Sequence, residues 1–276
     1  MAVIVQFPAI VEELLETFGS VFPDKRTREH FGEYLTGLLV AKRKNVSAIN
    51  REFAQTTDQS CLNRFITQSN WDVNELNRLR LAWLQKDPST RYSKRGVIPI
   101  DNVLIDHAGQ HIEDVGYFWD HAEDRYKIAH DYLIVNYVCT SGKHYPLEFR
   151  RFAKKEHCQA SGREFRDHNV LFRELIDWVI EREIPGAFTF DSWFTHADNL
   201  NHIHAATRAY VGDLKTNRKI ETGGRVLQAK EWAAQIPVAD RKKIEHDGKT
   251  QWYFTKSVHI PKVNHKVRLV ILWSEQ

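Results

Sequence analysis

Apolar residues recur at helical spacing through the first third of the chain and at strand spacing through much of the rest. Ile10, Val11, Leu14, Leu15 and Phe18 fall on one helical face, with Pro8 near its start and Gly19 as its stop. Phe31, Tyr34, Leu35, Leu38 and Leu39 repeat the pattern. Ser47 is the expected cap of a short helix carrying Ile49 and Phe53. Asp58 is the expected cap of the next, carrying Leu62, Phe65 and Ile66, and Asp72 of a third, with Leu76, Leu79 and Trp83 on one face. Two short helices around Thr56-Thr57, just after a basic cluster, have the order of a helix-turn-helix. A plain helical bundle has the same order.

A polar, basic stretch from Asp87-Pro88-Ser89-Thr90 to Gly96 suits a domain boundary. Beyond it, Val97, Ile98, Ile100, Val103, Leu104 and Ile105 predict a strand. Residues 131–139 are rich in β-formers, Ser141-Gly142-Lys143 supplies a turn, and residues 144–152 run back, so adjacent antiparallel strands are expected. A helix over 167–183 carries Leu171, Phe172, Leu175, Ile176, Val179 and Ile180 and stops at Pro185-Gly186. A short strand, 187–190, leads to Asp191. A helix with Leu200, Ile203 and Ala206 and a strand over 209–214 follow. Residues 215–276 look mostly β, with strands at 251–259 and 267–273. Three strands, helix, strand, helix is an α/β order with a mixed sheet. The expected division is 1–90 helical, 91–214 α/β and 215–276 β-rich.

Composition narrows the classes. No run of eighteen apolar residues exists, so no membrane span is expected. The N-terminus lacks the basic flank and small-residue cleavage site of a signal peptide. Cys61, Cys139 and Cys158 are scattered and form no Cys-x-x-Cys, which argues against a zinc knuckle or a disulfide framework. A reducing cytoplasm fits best. The net charge of +3 lies wholly in the first hundred residues, which hold 14 Lys and Arg against 11 Asp and Glu. Lys42-Arg43-Lys44 is the local cluster there, and such clusters attract phosphate backbones through counterion release. A solvated helix end explains the same cluster without any partner.

Asp101 is an unusual residue for the middle of an apolar strand, where a charge is costly unless paired or bound to a cation. Asp191 ends a second apolar run, and ligands gather at the carboxyl ends of strands in α/β sheets. Two aspartates on adjacent strands can share hard divalent cations, Mg²⁺ or Mn²⁺. Two such ions about 3.5–4 Å apart can activate a nucleophilic oxygen and stabilise the leaving oxygen of a phosphodiester. For either aspartate alone, a turn or cap role is the simpler reading. Asp106 and His107 fit a turn better than a site. His202 and His204 lie two apart on a helix and point to different sides, which does not suit a metal. Ser192 lacks the flanking glycines of a nucleophile elbow. Lys215, Arg218 and Lys219 suit either phosphates or solvent. Trp232 and Trp252 suit core packing better than base stacking.

The segment Ile100-Asp101-Asn102-Val103-Leu104-Ile105-Asp106-His107-Ala108-Gly109 resembles the first-aspartate strand and turn of the DDE transposases of bacterial insertion sequences. Residues 117–121, with Tyr126 and His130, are similar to the lead into their second strand. Phe188-Thr189-Phe190-Asp191-Ser192-Trp193-Phe194 looks like their second-aspartate motif, and Gly212-Asp213-Leu214-Lys215-Thr216-Asn217-Arg218 like the Lys-x-Asn-Arg strand end that follows it. Tyr34-Leu35-Thr36-Gly37-Leu38-Leu39 and Ser69-Asn70-Trp71-Asp72 resemble the helical leader.

The resemblance implies an RNase H-like mixed sheet with a helical N-terminal domain and a β-rich C-terminal insertion. It implies cleavage and strand transfer at insertion-sequence ends, with Mg²⁺ or Mn²⁺ on Asp101 and Asp191 and DNA contacts from Lys42, Arg43, Lys44, Lys215 and Arg218. The partners are then the element ends, target DNA and a second copy of the chain. The family's third acid, a Glu in a Tyr-x-x-Arg-Trp-x-Ile-Glu-like helix, has no match here, and Glu275 is not assigned that role. The chain looks truncated relative to the family. A non-catalytic remnant or repressor that binds the terminal repeats is the alternative. A third reading is an unrelated nuclease of the same fold, with its extra acid from Asp120, Asp131 or Glu148.

Overall fold

In the computed structural model, residues 4–55, 58–109 and 112–274 are described. The chain divides into two compact units, Met1–Arg91 and Tyr92–Gln276. Among the described residues, no helix is long and apolar enough to cross a membrane.

The first unit is helical: α1 (Ala9–Phe18), α2 (Lys25–Val40), α3 (Val46–Asn50), α4 (Gln59–Thr67) and α5 (Val73–Leu84). Short polar side chains start most of these helices by accepting orphan backbone N–H groups. Asp24 caps α2, Asp58 caps α4 and Asp72 caps α5. The cap of α3 is Asn45, whose side chain accepts from the Ala48 N–H at 2.9 Å, and not Ser47. Gly19 does not stop α1 with a left-handed residue. Its φ is −57°, and the chain tightens there into a 3₁₀ turn. The core is an aromatic cluster in which Phe22 packs at a tilt against Phe31 at 4.4 Å and Phe65 stacks on Trp71 at 5.9 Å, with Ile49 and Leu62 fully buried beside them. Thr56 and Thr57, the expected turn between two short helices, lie outside the described residues.

The second unit holds two sheets. Its strands and helices run β1 (Val97–Asp106), β2 (Gly116–Asp120), β3 (Arg125–Val138), β4 (His144–Phe152), α6 (Lys155–Ala160), α7 (His168–Glu181), β5 (Ala187–Phe190), α8 (Ala197–Ala205) and β6 (Tyr210–Gly212). The β-rich part follows: β7 (Lys219–Thr222), β8 (Arg225–Gln228), α9 (Ala229–Gln235), β9 (Lys242–His246), β10 (Lys249–His259) and β11 (Lys266–Ser274).

In the first sheet β3 pairs antiparallel with β1 along one edge and with both β2 and β4, end to end, along the other. β1 then pairs parallel with β5, and β5 with β6. Residues of β3 alternate, with Leu133, Val135 and Tyr137 fully buried and their neighbours half-buried. Ile98 and Ile100 of β1 and Phe188 of β5 share that buried face. α7 turns Leu171, Phe172, Leu175, Ile176 and Val179 into the core. The opposite face leaves Val103, Ile105, Phe149 and Val211 exposed. This strand order and these directions match the RNase H-like sheet expected from the sequence.

Candidate active site

Asp101 and Asp191 are set by the pairing of β1 with β5. The parallel register runs Val97↔Ala187, Ile98↔Phe188 and Pro99↔Thr189, a constant offset of ninety residues. Continued two positions past the last paired residues, the same offset would put Asp101 level with Asp191, which follows the end of β5. Both are solvent-exposed. Asp101 is therefore not sealed among its apolar neighbours: strand alternation turns Ile98 and Ile100 inward and Asp101 to the open face. Its surroundings are still crowded. Partial burial pushes the Asp101 carboxyl above its usual range, the Asn102 N–H, 2.8 Å from Oδ1, pulls it back, and the Asp191 charge adds to the rise. The two carboxylates thus feel one another.

Asp191 begins a turn that several buried groups hold in place. Its Oδ1 accepts the Trp193 N–H at 2.9 Å. The Thr195 hydroxyl, nearly buried, donates to the carbonyls of Asp191 and Asp213, at 3.3 and 2.5 Å. Arg218 donates to the Thr195 carbonyl at 2.6 Å. Asn199 is fully buried. Its amide donates to the carbonyl of Phe194 at 3.0 Å and to Asn169 at 2.8 Å, and its oxygen accepts from Arg173 at 2.8 Å. Phe172 of α7 stacks on Phe194 at 4.7 Å and meets Phe190 edge-on. Gly212 completes the fit, because an added Cβ would sit 2.5 Å from the Phe190 ring.

Two groups beside the aspartates were not singled out together by the sequence. Trp193 is 58% exposed, and the Lys215 ammonium lies over its ring at 5.3 Å. Asp213 follows β6, and its N–H donates to the Phe190 carbonyl at 3.2 Å, extending the ladder that starts at Phe188↔Tyr210. A Trp two residues beyond an aspartate and an Asp after a short strand were the available signals.

Other candidates lie elsewhere. Asp106 ends β1 five positions from Asp101, about 17 Å at strand rise, and His107 follows it. Asp106 faces Lys127 at 3.6 Å, and His107 hydrogen-bonds His130 at 2.8 Å. Asp120 pairs with Lys127 at 2.7 Å, and that contact holds its carboxyl below the usual range. Asp131 faces α7, where it meets His168 at 2.7 Å. Glu148 pairs across from Val135 on that same face and lies 3.4 Å from Arg150. Cross-strand partners share a face, so neither Asp131 nor Glu148 joins Asp101, which is opposite Ile134. His202 bonds Asp177 and His204 stacks on His265, in different directions. Trp232 packs edge-on against Phe254. Lys42, Arg43 and Lys44 are exposed between α2 and α3 in the first unit. Glu275 lies outside the described residues. Among the described residues, no group of three or more His, Cys, Asp or Glu could hold a metal ion.

No curated protein matches the chain. A family model described as DDE superfamily endonuclease matches residues 17–252, most of the chain and both aspartates. Endonucleases of this superfamily act on DNA and generally use divalent metals. The chain belongs to the DDE superfamily endonucleases.

Proposed function

We propose that the protein is a transposase that cuts DNA at the ends of an insertion sequence and joins the freed strand to target DNA, with Asp101 and Asp191 as its metal-holding carboxylates. The observation that supports this reading is the β1–β5 register, whose constant offset, continued past Pro99 and Thr189, leads from Asp101 to Asp191, together with the Asp191 charge felt at Asp101. The donor set fits a hard divalent cation, Mg²⁺ or Mn²⁺: two exposed carboxylates, with the Asp101 carboxyl held above its usual range by partial burial and, to a lesser degree, by the Asp191 charge. A cation there relieves that repulsion.

When bound, such a cation supplies charge to offset that building on the phosphate and lowers the pKa of the attacking water. The chain's own groups do the positioning. The Asn199, Thr195 and Arg218 contacts fix the turn that presents Asp191. Lys215 offers a cation to a phosphate, and the exposed ring of Trp193 offers a face to an unstacked base. Water attacks phosphorus and the 3′-oxygen leaves as a hydroxyl. That hydroxyl then attacks a target phosphodiester, joining to its phosphorus while the target's own 3′-oxygen leaves as a hydroxyl.

Nicking of a plasmid carrying the element ends, in Mg²⁺ or Mn²⁺, tests this. Asp101→Ala and Asp191→Ala should each lower nicking at least about 100-fold while the circular dichroism spectrum stays unchanged. Undiminished cleavage by both variants defeats the assignment. One observation favours a second reading. With no third metal-binding side chain among the described residues, the protein would bind terminal repeats without cutting them. Salt-dependent binding by the wild type with no cleavage in Mn²⁺ would establish it.

A further inference from the structure

One edge of the first sheet is open. β2 pairs with β3 and with no other strand among the described residues. The direction of its backbone groups follows from its neighbour. The His107 N–H donates to the Ile128 carbonyl, so Ile128 turns its backbone toward β1 and away from β2. Lys127 and Ala129, one residue to either side, then face β2, where they pair with Phe118 and Gly116. The N–H and C=O groups of Tyr117 and Trp119 therefore point outward, and none of them bonds another element among the described residues. Open edges are commonly blocked by proline or lysine, and Gly-Tyr-Phe-Trp-Asp contains neither.

The side chains beside this edge are aromatic. Tyr117 is 56% exposed, Trp119 41% and Tyr126 65%. Trp119 is paired with Tyr126 and meets its ring edge-on at 5.0 Å, and Tyr117 shares their face. The nearby carboxylates are already held: Asp120 and Glu123 by Lys127, and Glu113 by Arg151 and Arg163. Lys154 differs. Its side chain runs beside Gly116, its ammonium lies 5.1 Å from the Phe118 ring, and it has no acidic partner among the described residues.

We propose that a second copy of the chain adds its own β2 to this edge, antiparallel, about a two-fold axis at Phe118. Tyr117 of each copy then exchanges both backbone hydrogen bonds with Trp119 of the other. Among two-fold registers this one alone pairs both outward residues within β2. On the aromatic face the rings run Tyr126, Trp119, then Tyr117 of the second copy. On the other face Asp120 comes opposite Gly116 of the second copy, on the side that carries that copy's Lys154, so opposite charges meet twice. Tyr126 and Ile134 lie on one face of β3, and Asp101 is opposite Ile134. The pairing therefore puts both copies of Asp101 on the same side of one continuous sheet. Six half-exposed rings bring on the order of 600 Å² of apolar surface, less than a permanent interface buries. The dimer is therefore weak, with a dissociation constant on the order of 10 µM.

Sedimentation equilibrium of the full chain, without DNA or metal, from about 1 to about 200 µM tests this. The wild type should pass from one chain mass to two. Tyr117→Lys with Trp119→Lys sets lysines opposite one another and should stay at one chain mass throughout, a loss of at least about 20-fold in affinity. Its melting temperature should hold, since both side chains are exposed. Lys154→Glu, which opposes Asp120 of the second copy, should weaken association about 3-fold without touching the edge itself. The control pair Val270→Lys and Leu272→Lys, equally exposed but on the second sheet, should associate as the wild type does. A wild type that stays at one chain mass at the highest concentration overturns the proposal. So does undiminished association of the folded Tyr117→Lys, Trp119→Lys variant, an equal loss in the control pair, or growth beyond two chains. None of these outcomes bears on the nuclease reading.

Discussion

Asp101 sits at a position where ionisation works against folding. Burial and the Asp191 charge raise the Asp101 carboxyl above its ordinary value. A native state that holds its proton more tightly than the unfolded chain loses stability as pH climbs through and past the unfolded value, so at neutral pH the ionised pair is a net cost without a cation. Asp101→Asn should therefore raise the metal-free melting temperature at pH 7. Asp101 is exposed, so the gain is small, about 1–2 °C. The rise should vanish at pH 3, where the wild-type carboxyl is also neutral. A fall at pH 7 would mean that the pair is not repulsive. Both aspartates were legible in the sequence because each interrupts or ends an apolar run. Asp101 is exposed yet partly desolvated, and the apolar residues beside it do not enclose it. It lies on the outward face, which strand periodicity alone assigns only once the buried face is known. Asp114 was not legible at all. It is buried between Arg151 and Arg163, which hold its carboxyl below the usual range, and no local pattern marks partners that distant in the chain.

At the scale of elements, periodicity and capping chemistry carried most of the information. Helices beginning at Asp58 and Asp72 and the antiparallel pair β3–β4 were readable because caps and turns are local. The short α3 was assigned to the wrong cap, since Asn45 and Ser47 are both good acceptors two residues apart. The end-to-end placement of β2 and β4 along one edge of β3 was not readable, because it depends on register. The turn after β5 shows how elements make a site. α7 and α8 deliver Arg173, Asn169 and Asn199, and Asn199 fixes the carbonyl of Phe194 three residues from Asp191. Asn199→Ala strands these partners in the core. It should cost about 2 kcal/mol, a fall in melting temperature of about 4–8 °C. Nicking rate should fall with little change in DNA affinity, because the turn and not the DNA contact is disturbed. A variant with wild-type melting and wild-type rate would show that the network does not position Asp191.

Over the whole molecule, the basic excess of the sequence lies in the first hundred residues, within and just beyond the helical unit. The carboxylates lie in the second unit. Charge counting along the chain marks Lys42-Arg43-Lys44, exposed between α2 and α3. The third acid sought in the sequence has no counterpart among the described residues, so the pair Asp101 and Asp191 bears the whole weight of the metal reading. The most direct test is anomalous diffraction from crystals of the full chain soaked in Mn²⁺. The account predicts a peak between the two carboxylates, about 2.0–2.6 Å from an oxygen of each. No peak there at saturating Mn²⁺, with the two carboxyl groups turned apart, would contradict it.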